Sequence, residues 1–234
     1  MRRGSWIVTI GMYMLIIGGF LVGTYLASVA TTTVAQLIPV ERDATIVIDA
    51  GHGGIDGGAT SCTGVLESKI NLEISLKLED LLHLLGYRTV MIRKTDISVY
   101  TSGETIAAKK VSDLRQRVKT VNETDDPILI SIHQNTFSDG RYAGAQVFYA
   151  ANQDSRELAE MMQENLIEGL DSDHNRNSKK ADGIYLLQHV DCPAVLIECG
   201  FLSNPEEERK LREESYQKKL CCVIGATVGQ FLTK

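Results

Sequence analysis

The sequence predicts a single α/β domain, with a mainly parallel, twisted sheet covered by helices on both faces and an apolar N-terminal segment before it. Short apolar runs bounded by glycine or proline alternate with longer segments whose apolar residues recur at helical spacing. Several of the apolar runs end in polar residues, as strands do at the edge of an open α/β sheet where functional sites form. The 234 residues, 44% hydrophobic and 23% charged, suffice for one such domain with a full core.

The N-terminal part of the chain differs in composition from the rest. Arg2 and Arg3 precede an apolar stretch at residues 6–30, and a helix needs about 20 residues to cross a bilayer. We predict a signal peptide or membrane anchor at residues 1–30 and a linker at residues 31–43. If the segment is not cleaved, its apolar stretch contacts the membrane. In either case the two arginines predict that the remaining chain lies outside the cytoplasm.

The first elements of the domain form a strand–helix–strand unit. A buried strand is predicted at residues 45–49, and a glycine-rich loop follows it. The next segment is predicted as a helix that ends at Gly86, before a strand at residues 87–92. Its apolar residues recur at helical spacing at Ile70, Ile74, Leu78, Leu81 and Leu85. A unit of this kind predicts parallel pairing of its two strands.

The rest of the chain adds elements to the same domain, which we place at residues 44–234. Residues 94–112 are polar and without strong periodicity, and residues 171–182 are predicted as a polar, charged loop. The remaining predicted elements are strands at residues 128–132, 145–150, 184–187 and 194–197, and helices at residues 113–122 and 155–170, from residue 205 on, and around residues 220–231.

Charge and cysteine content exclude two kinds of site. The net charge is −6 and no basic stripe is visible, so we expect no nucleic-acid partner. The five cysteines include no C-x-x-C pair, which argues against a cysteine-rich zinc site. Their odd number leaves at least one thiol unpaired in a monomer of an exported protein.

Polar residues follow three of the predicted strands. His52 lies in the loop after the first strand. His133 comes directly after the strand at residues 128–132, and Glu198 comes directly after the strand at residues 194–197. In open α/β sheets the carboxyl ends of the strands converge on one edge. Catalytic zinc is often held by two histidines and one glutamate, with a further position left for water. These residue types therefore indicate metal-dependent hydrolysis.

Each of these residues also has a structural interpretation. A single histidine in a loop, such as His52, or at a strand end, such as His133, is more often hydrogen bonded without any catalytic role. Glu67 lies at the start of the first predicted helix, where the helix dipole stabilises a carboxylate, so for Glu67 the two interpretations are evenly balanced. Glu198 is harder to explain, because burying a carboxylate without a partner is costly.

The glycine-rich loop after the first strand also raises the alternative of a phosphate-binding loop. The dinucleotide fingerprint G-x-G-x-x-G is not met, since Asp56 occupies the third glycine position after Gly51 and Gly53. A G-K-[ST] motif is absent from the sequence as well. We therefore interpret the glycines as allowing a tight turn that directs His52 into the cleft.

Four motifs in this order resemble the zinc N-acetylmuramoyl-L-alanine amidases called amidase 3. They are IVIDAGHGG with DGGA at residues 46–59, Glu67, SIHQN at residues 131–135, and VLIECGFLSN at residues 195–204. The similarity covers essentially residue 44 to the C terminus.

The resemblance implies an enzyme that cleaves the amide between N-acetylmuramic acid and L-alanine in peptidoglycan. It implies that His52, Glu67 and His133 bind one Zn²⁺ ion. Glu198 would be the catalytic carboxylate, which takes a proton from the attacking water and passes it to the leaving amine of L-alanine.

Further positions also match the family pattern. They are Arg93 with Asp96, Arg117 and Asn122, which we expect to support the structure rather than to catalyse. The chain departs from the family pattern by an inserted segment at residues 102–112 and by Gln134 in place of a common alanine. The interval between His133 and Glu198 has no room for the long inhibitory helix of some family members.

These departures resemble the germination-specific amidases of spore-forming bacteria. That resemblance implies action outside the cytoplasm, in the spore envelope, where removal of the stem peptide from cortex prepares muramic-δ-lactam. An activating protein partner is a further expectation. Two alternatives remain: a zinc peptidase or deacetylase acting on another wall amide, and a non-catalytic wall-binding module, which would lack a ligand or Glu198.

Overall fold

The chain forms a six-stranded sheet with helices on both faces in the computed structural model, which describes Val22, Thr24, residues 44–170 and residues 174–234. The predicted signal or anchor segment at residues 1–30, apart from Val22 and Thr24, and the predicted linker at residues 31–43 lie outside the described residues. No helix within the described part of the chain is long and apolar enough to cross a membrane.

The strands and helices alternate through most of the domain. The strands are β1 (Thr45–Ala50), β2 (Arg88–Met91), β3 (Pro127–Asn135), β4 (Gln146–Tyr149), β5 (Lys179–Lys180) and β6 (Ala194–Phe201). The helices are α1 (Glu67–Leu84), α2 (Ile106–Asn122), α3 (Gln153–Gly169), α4 (Tyr185–His189), α5 (Pro205–Leu211) and α6 (Glu214–Leu232).

The sheet is mixed rather than parallel throughout. Its strand order is β2-β1-β3-β6-β4-β5, and β1 pairs in parallel with β2 and β3, as β3 does with β6. The prediction of a mainly parallel sheet is met in part: four of the five strand pairings are parallel, and β4, which is parallel to β5, is antiparallel to β6. The connection from β3 to β4 contains no helix. It is shorter than the dozen or more residues that a parallel crossover takes, so β4 returns in the opposite direction.

Three local predictions need correction. Residues 184–187 were predicted as a strand, but α4 occupies this region, because a short buried apolar run does not distinguish strand from helix. Helix α2 begins at Ile106 rather than at residue 113; the Thr105 side chain accepts a hydrogen bond from the backbone N–H of Ala108, and the first turns are largely exposed. The predicted polar loop at residues 171–182 contains β5.

Alternation along the strands assigns side chains to the two faces of the sheet. Residues such as Ile48, Ile132 and Ile197 belong to the core that includes apolar residues of α1, α3 and α6. The intervening residues, such as Val47 and Leu196, belong to the smaller core on the side of α2 and α4. Continuing this alternation to the carboxyl ends of the strands places Asp49, His133 and Glu198 on the side of α2 and α4. The carboxyl ends of these strands are where the sequence predicts the site.

Candidate metal centre

His52 lies two residues beyond β1, in a loop that runs very close to the other residues of the site. Its backbone φ is 60°, a left-handed conformation that is uncommon for a residue with a side chain. A Cβ atom at Gly51 would lie 2.2 Å from Nε2 of His133, and one at Gly58 would lie 2.5 Å from Oε2 of Glu67. Glycine at both positions therefore lets the loop approach the other site residues.

The structure brings the three predicted ligands together. Glu67 is the first residue of α1 and is buried. Its Oε2 lies 3.3 Å from Nε2 of His52, and its Oε1 lies 3.0 Å from Nδ1 of His133. One donor atom from each residue lies within 4.8 Å of the others, and this is the one such group of three or more His, Cys, Asp or Glu among the residues described. The arrangement can hold a metal ion.

The orientation of His52 is set by Asp56, which the sequence did not identify as its partner. Nδ1 of His52 lies 3.0 Å from Oδ2 of Asp56, so that Nε2 faces Glu67. Oδ1 of Asp56 in turn lies 2.9 Å from Nζ of Lys110 on α2. A carboxylate behind a histidine is the usual support of a metal-binding imidazole. The available sequence signal was the spacing of four residues between His52 and Asp56 within the first motif.

The charges at the centre are strongly coupled. Burial alone would raise the pKa of the Glu67 carboxyl, but hydrogen bonds and attraction from His133 and His52 hold it well below its ordinary value. Burial alone would lower the pKa of His52, but Glu67 and Asp56 raise it to about 9. The negative charge that favours the protonated form of His52 would equally attract a cation. Two imidazoles and one carboxylate are a donor set that fits Zn²⁺.

Glu198 lies beside this group without belonging to it. It is the partner of His133 in the register of β3 and β6. Its side-chain Oε2 is shielded from solvent and has no hydrogen-bond partner in the part of the chain that is described. Burial raises the pKa of this carboxyl to about 7. An unpaired, buried carboxylate oxygen is costly, which favours a cation or a polar substrate group at the same point.

Two buried arginines fix the loop that carries His52. Arg93 donates to the carbonyl oxygens of Ala50, at 2.7 Å, and of Gly51, at 2.9 Å. Arg117, on α2, donates to the carbonyl oxygen of His52 at 2.7 Å and is paired with Asp49. Both side chains thus hold the backbone of the loop, and Arg117 also lines the cavity that opens beside the centre.

The other expected supports also form specific contacts. Asp96 accepts a hydrogen bond of 3.0 Å from the backbone N–H of Gly54 in the histidine loop. The amide of Asn122 donates to the carbonyl oxygen of His189, which joins the end of α2 to α4. Gln134, one of the departures from the family pattern, donates its backbone N–H to Oε1 of Glu67 at 3.1 Å.

The chain is similar to proteins of one family. The family model described as N-acetylmuramoyl-L-alanine amidase, Amidase_3, matches residues 46–228. The germination-specific N-acetylmuramoyl-L-alanine amidase of Bacillus subtilis is 36% identical over 191 residues, which are 81% of this chain and 80% of that protein.

Solved structures agree in fold. The CwlD amidase from Clostridioides difficile, whose structure was solved in complex with the GerS lipoprotein, is 40% identical with a TM-score of 0.78, and the match covers 81% of this chain and 98% of that one. An N-acetylmuramoyl-L-alanine amidase from Clostridium difficile is 32% identical with a TM-score of 0.70, over 82% of this chain and 99% of that one.

Proposed function

The chain belongs to the N-acetylmuramoyl-L-alanine amidase family, and from this premise we propose that it uses one Zn²⁺ ion, held by His52, Glu67 and His133, to hydrolyse the amide between N-acetylmuramic acid and L-alanine in peptidoglycan. The observation that carries the proposal is the convergence of these three side chains beside Glu198, whose buried Oε2 has no hydrogen-bond partner among the residues described. The catalytic domain is proposed to span residues 44–234.

The chemistry follows from the roles of the individual side chains. Zinc, when bound, polarises the scissile carbonyl and promotes ionisation of water. Glu198 accepts the proton of the attacking water and delivers it to the amine of L-alanine as the C–N bond breaks. Asp56 keeps Nε2 of His52 directed at Glu67 through its contact with Nδ1. The products are a free lactyl carboxyl on the sugar and an intact peptide with a free amino terminus.

The cellular setting is proposed from the relatives. Similarity to the germination-specific amidase of Bacillus subtilis supports action on spore cortex, as a step toward muramic-δ-lactam, outside the cytoplasm of a spore-forming bacterium. Residues 1–30 would serve as signal peptide or membrane anchor, and residues 31–43 as linker. The CwlD structure holds the GerS lipoprotein, which supports an activating protein partner for this chain as well.

The experiment is digestion of purified muropeptides by the zinc-loaded protein, with products identified by mass spectrometry. The amidase is expected to give a sugar with a free lactyl carboxyl and an intact peptide. Cleavage within the peptide would instead establish a peptidase, and release of acetate a deacetylase. Binding without any product would favour the wall-binding module. The presence of all four proposed site residues supports catalysis over that last alternative.

A further inference from the structure

A cavity of about 270 Å³ opens beside the metal centre, on the side of α2 and α4. Its wall includes His52 and His133, so the cavity is continuous with the centre. Apolar side chains form much of the remaining lining, among them Ile55, Leu114, Ile184, Tyr185 and Leu196. A concave apolar surface with a few polar groups is the usual form of a small-molecule subsite.

Two of the three lysine and arginine side chains in the wall are already neutralised by carboxylates. Arg117 is paired with Asp49 and with Asp113. Lys110 is paired with Asp56 at 2.9 Å. Each of the three aspartates that line the same cavity thus has Arg117 or Lys110 as its ion-pair partner, and none is paired with Lys109.

Lys109 is the exception among the basic residues of the wall. It forms no ion pair with any residue that the structure describes, and its Nζ lies 5.1 Å from the centre of the Tyr100 ring. The side chain is half-buried. A cation near an aromatic face and apolar walls interacts more strongly with an anion than a fully solvated lysine does. Among the residues that the structure describes, the cavity thus presents one positive charge that has no carboxylate partner.

Lys109 belongs to the inserted segment at residues 102–112, and its surroundings are well fixed. The backbone N–H of Val99 donates to Oδ1 of Asp113 at 2.6 Å, and that of Thr101 donates to Oγ of Ser112 at 3.1 Å. These contacts hold the segment that carries Tyr100 against α2. The insertion therefore adds a cation to the wall of the site at a defined position.

We propose that this cavity binds the peptide side of the substrate and that Lys109 selects a free carboxylate there. The proposal rests on the amidase function. In an N-acetylated muramoyl peptide the lactyl carboxyl is consumed in the scissile amide, so the sugar side carries no ionisable group and every carboxylate lies on the peptide. An unpaired cation next to the centre therefore recognises the peptide rather than the glycan.

The test uses two muramoyl peptides that differ only at the second peptide residue, which carries either a free carboxylate or the corresponding carboxamide. We expect the wild-type protein to prefer the free acid. Lys109→Met should lower kcat/KM for the acid by about tenfold, mainly through KM, and change the value for the amide less than about twofold. Lys109→Arg should largely restore the preference. Lys119→Met, on the same helix but outside the cavity, is the matched control.

The possible outcomes distinguish failure of the proposed subsite from failure of the proposed amidase function. Equal loss on both substrates, or unchanged preference in Lys109→Met, would overturn the subsite while leaving the amidase function intact. Failure of the wild-type protein to cleave either substrate, both alone and with cell extract that supplies the proposed activating partner, would instead contradict the proposed function. The preference for the free acid should also weaken at high salt, since an accessible ion pair is screened; a preference independent of salt would count against Lys109.

Discussion

Glu198 and His133 occupy directly paired positions on the adjacent parallel strands β3 and β6. Strand alternation directs both side chains toward the face covered by α2 and α4. The pairing fixes the spacing between the proposed proton acceptor and a proposed metal ligand through the backbone of the sheet, which is more rigid than a loop. The same row of the sheet continues to Gln146 of β4, which pairs with Glu198 on its other side.

Glu198→Gln should separate catalysis from metal binding. The amide is nearly isosteric but cannot accept the proton, so we expect activity to fall by about a hundredfold or more. Zinc content should remain that of the wild type, since Glu198 is outside the ligand group. Activity assays and metal analysis of the same preparation check both parts. The exposed Glu160→Gln serves as control, and near-normal turnover of Glu198→Gln would remove this residue from its role.

Glu67→Gln and His133→Ala should lose metal and activity together. Glu67 contributes the negative charge of the group, and His133 one of its imidazoles. Zinc content after dialysis, measured by elemental analysis, is expected to fall in proportion to activity. His189→Ala, an exposed histidine outside the centre, should keep both. Full zinc occupancy in Glu67→Gln or His133→Ala would disprove the ligand assignment.

Asp56→Asn tests the support of His52. Loss of the carboxylate behind a metal-binding histidine typically weakens metal affinity by about 10- to 100-fold. We expect that loss in zinc titrations, with kcat recovering when zinc is saturating. Lys110→Met, which removes the cation behind Asp56, should weaken affinity less. If Asp56→Asn binds zinc as tightly as the wild type, Asp56 does not hold the ring in place.

Ionisation of Asp49 should make the free energy of unfolding depend on pH. Burial alone would raise its pKa, but Arg117, His133 and a hydrogen bond of 2.7 Å from Ser131 lower it. Because the folded pKa is depressed, the ionised carboxylate stabilises the fold at pH above the unfolded value of about 3.9, and this contribution is lost as the pH falls through the folded pKa.

The corresponding variant is Asp49→Asn, which leaves the buried Arg117 with Asp113 as its remaining carboxylate. We expect a loss of about 3 to 5 kcal/mol in the free energy of unfolding at neutral pH, as for other buried ion pairs broken on one side. Between about pH 5 and pH 3, the range in which carboxyl groups titrate, the unfolding free energy of the variant should also decline less than that of the wild-type protein. Denaturant titration at several pH values measures both effects; parallel pH profiles for the two proteins would exclude Asp49 as the source.

The first half of the fold could be predicted because local signals were strong there. Strand β1, helix α1 and strand β2 follow from a short apolar run, helical spacing and a terminal glycine. The direction of β4 and the helical state of residues 185–189 were not predictable in this way. Strand direction depends on how a connection closes in space, and a short apolar run packs equally well as strand or helix until its neighbours are known.

By itself, the sequence determined that His52, His133 and Glu198 follow short apolar runs, which predict strands whose carboxyl ends converge, and these residue types indicate metal-dependent hydrolysis. Family motifs added Glu67. Only the tertiary structure decided that Asp56 holds His52, that Glu198 lies opposite His133, and that Lys109 lines the cavity with no ion-pair partner in the described part of the chain. These relationships are distances between separate segments of the fold, and the free energy that sets them comes from packing the sheet against its helices rather than from any local pattern.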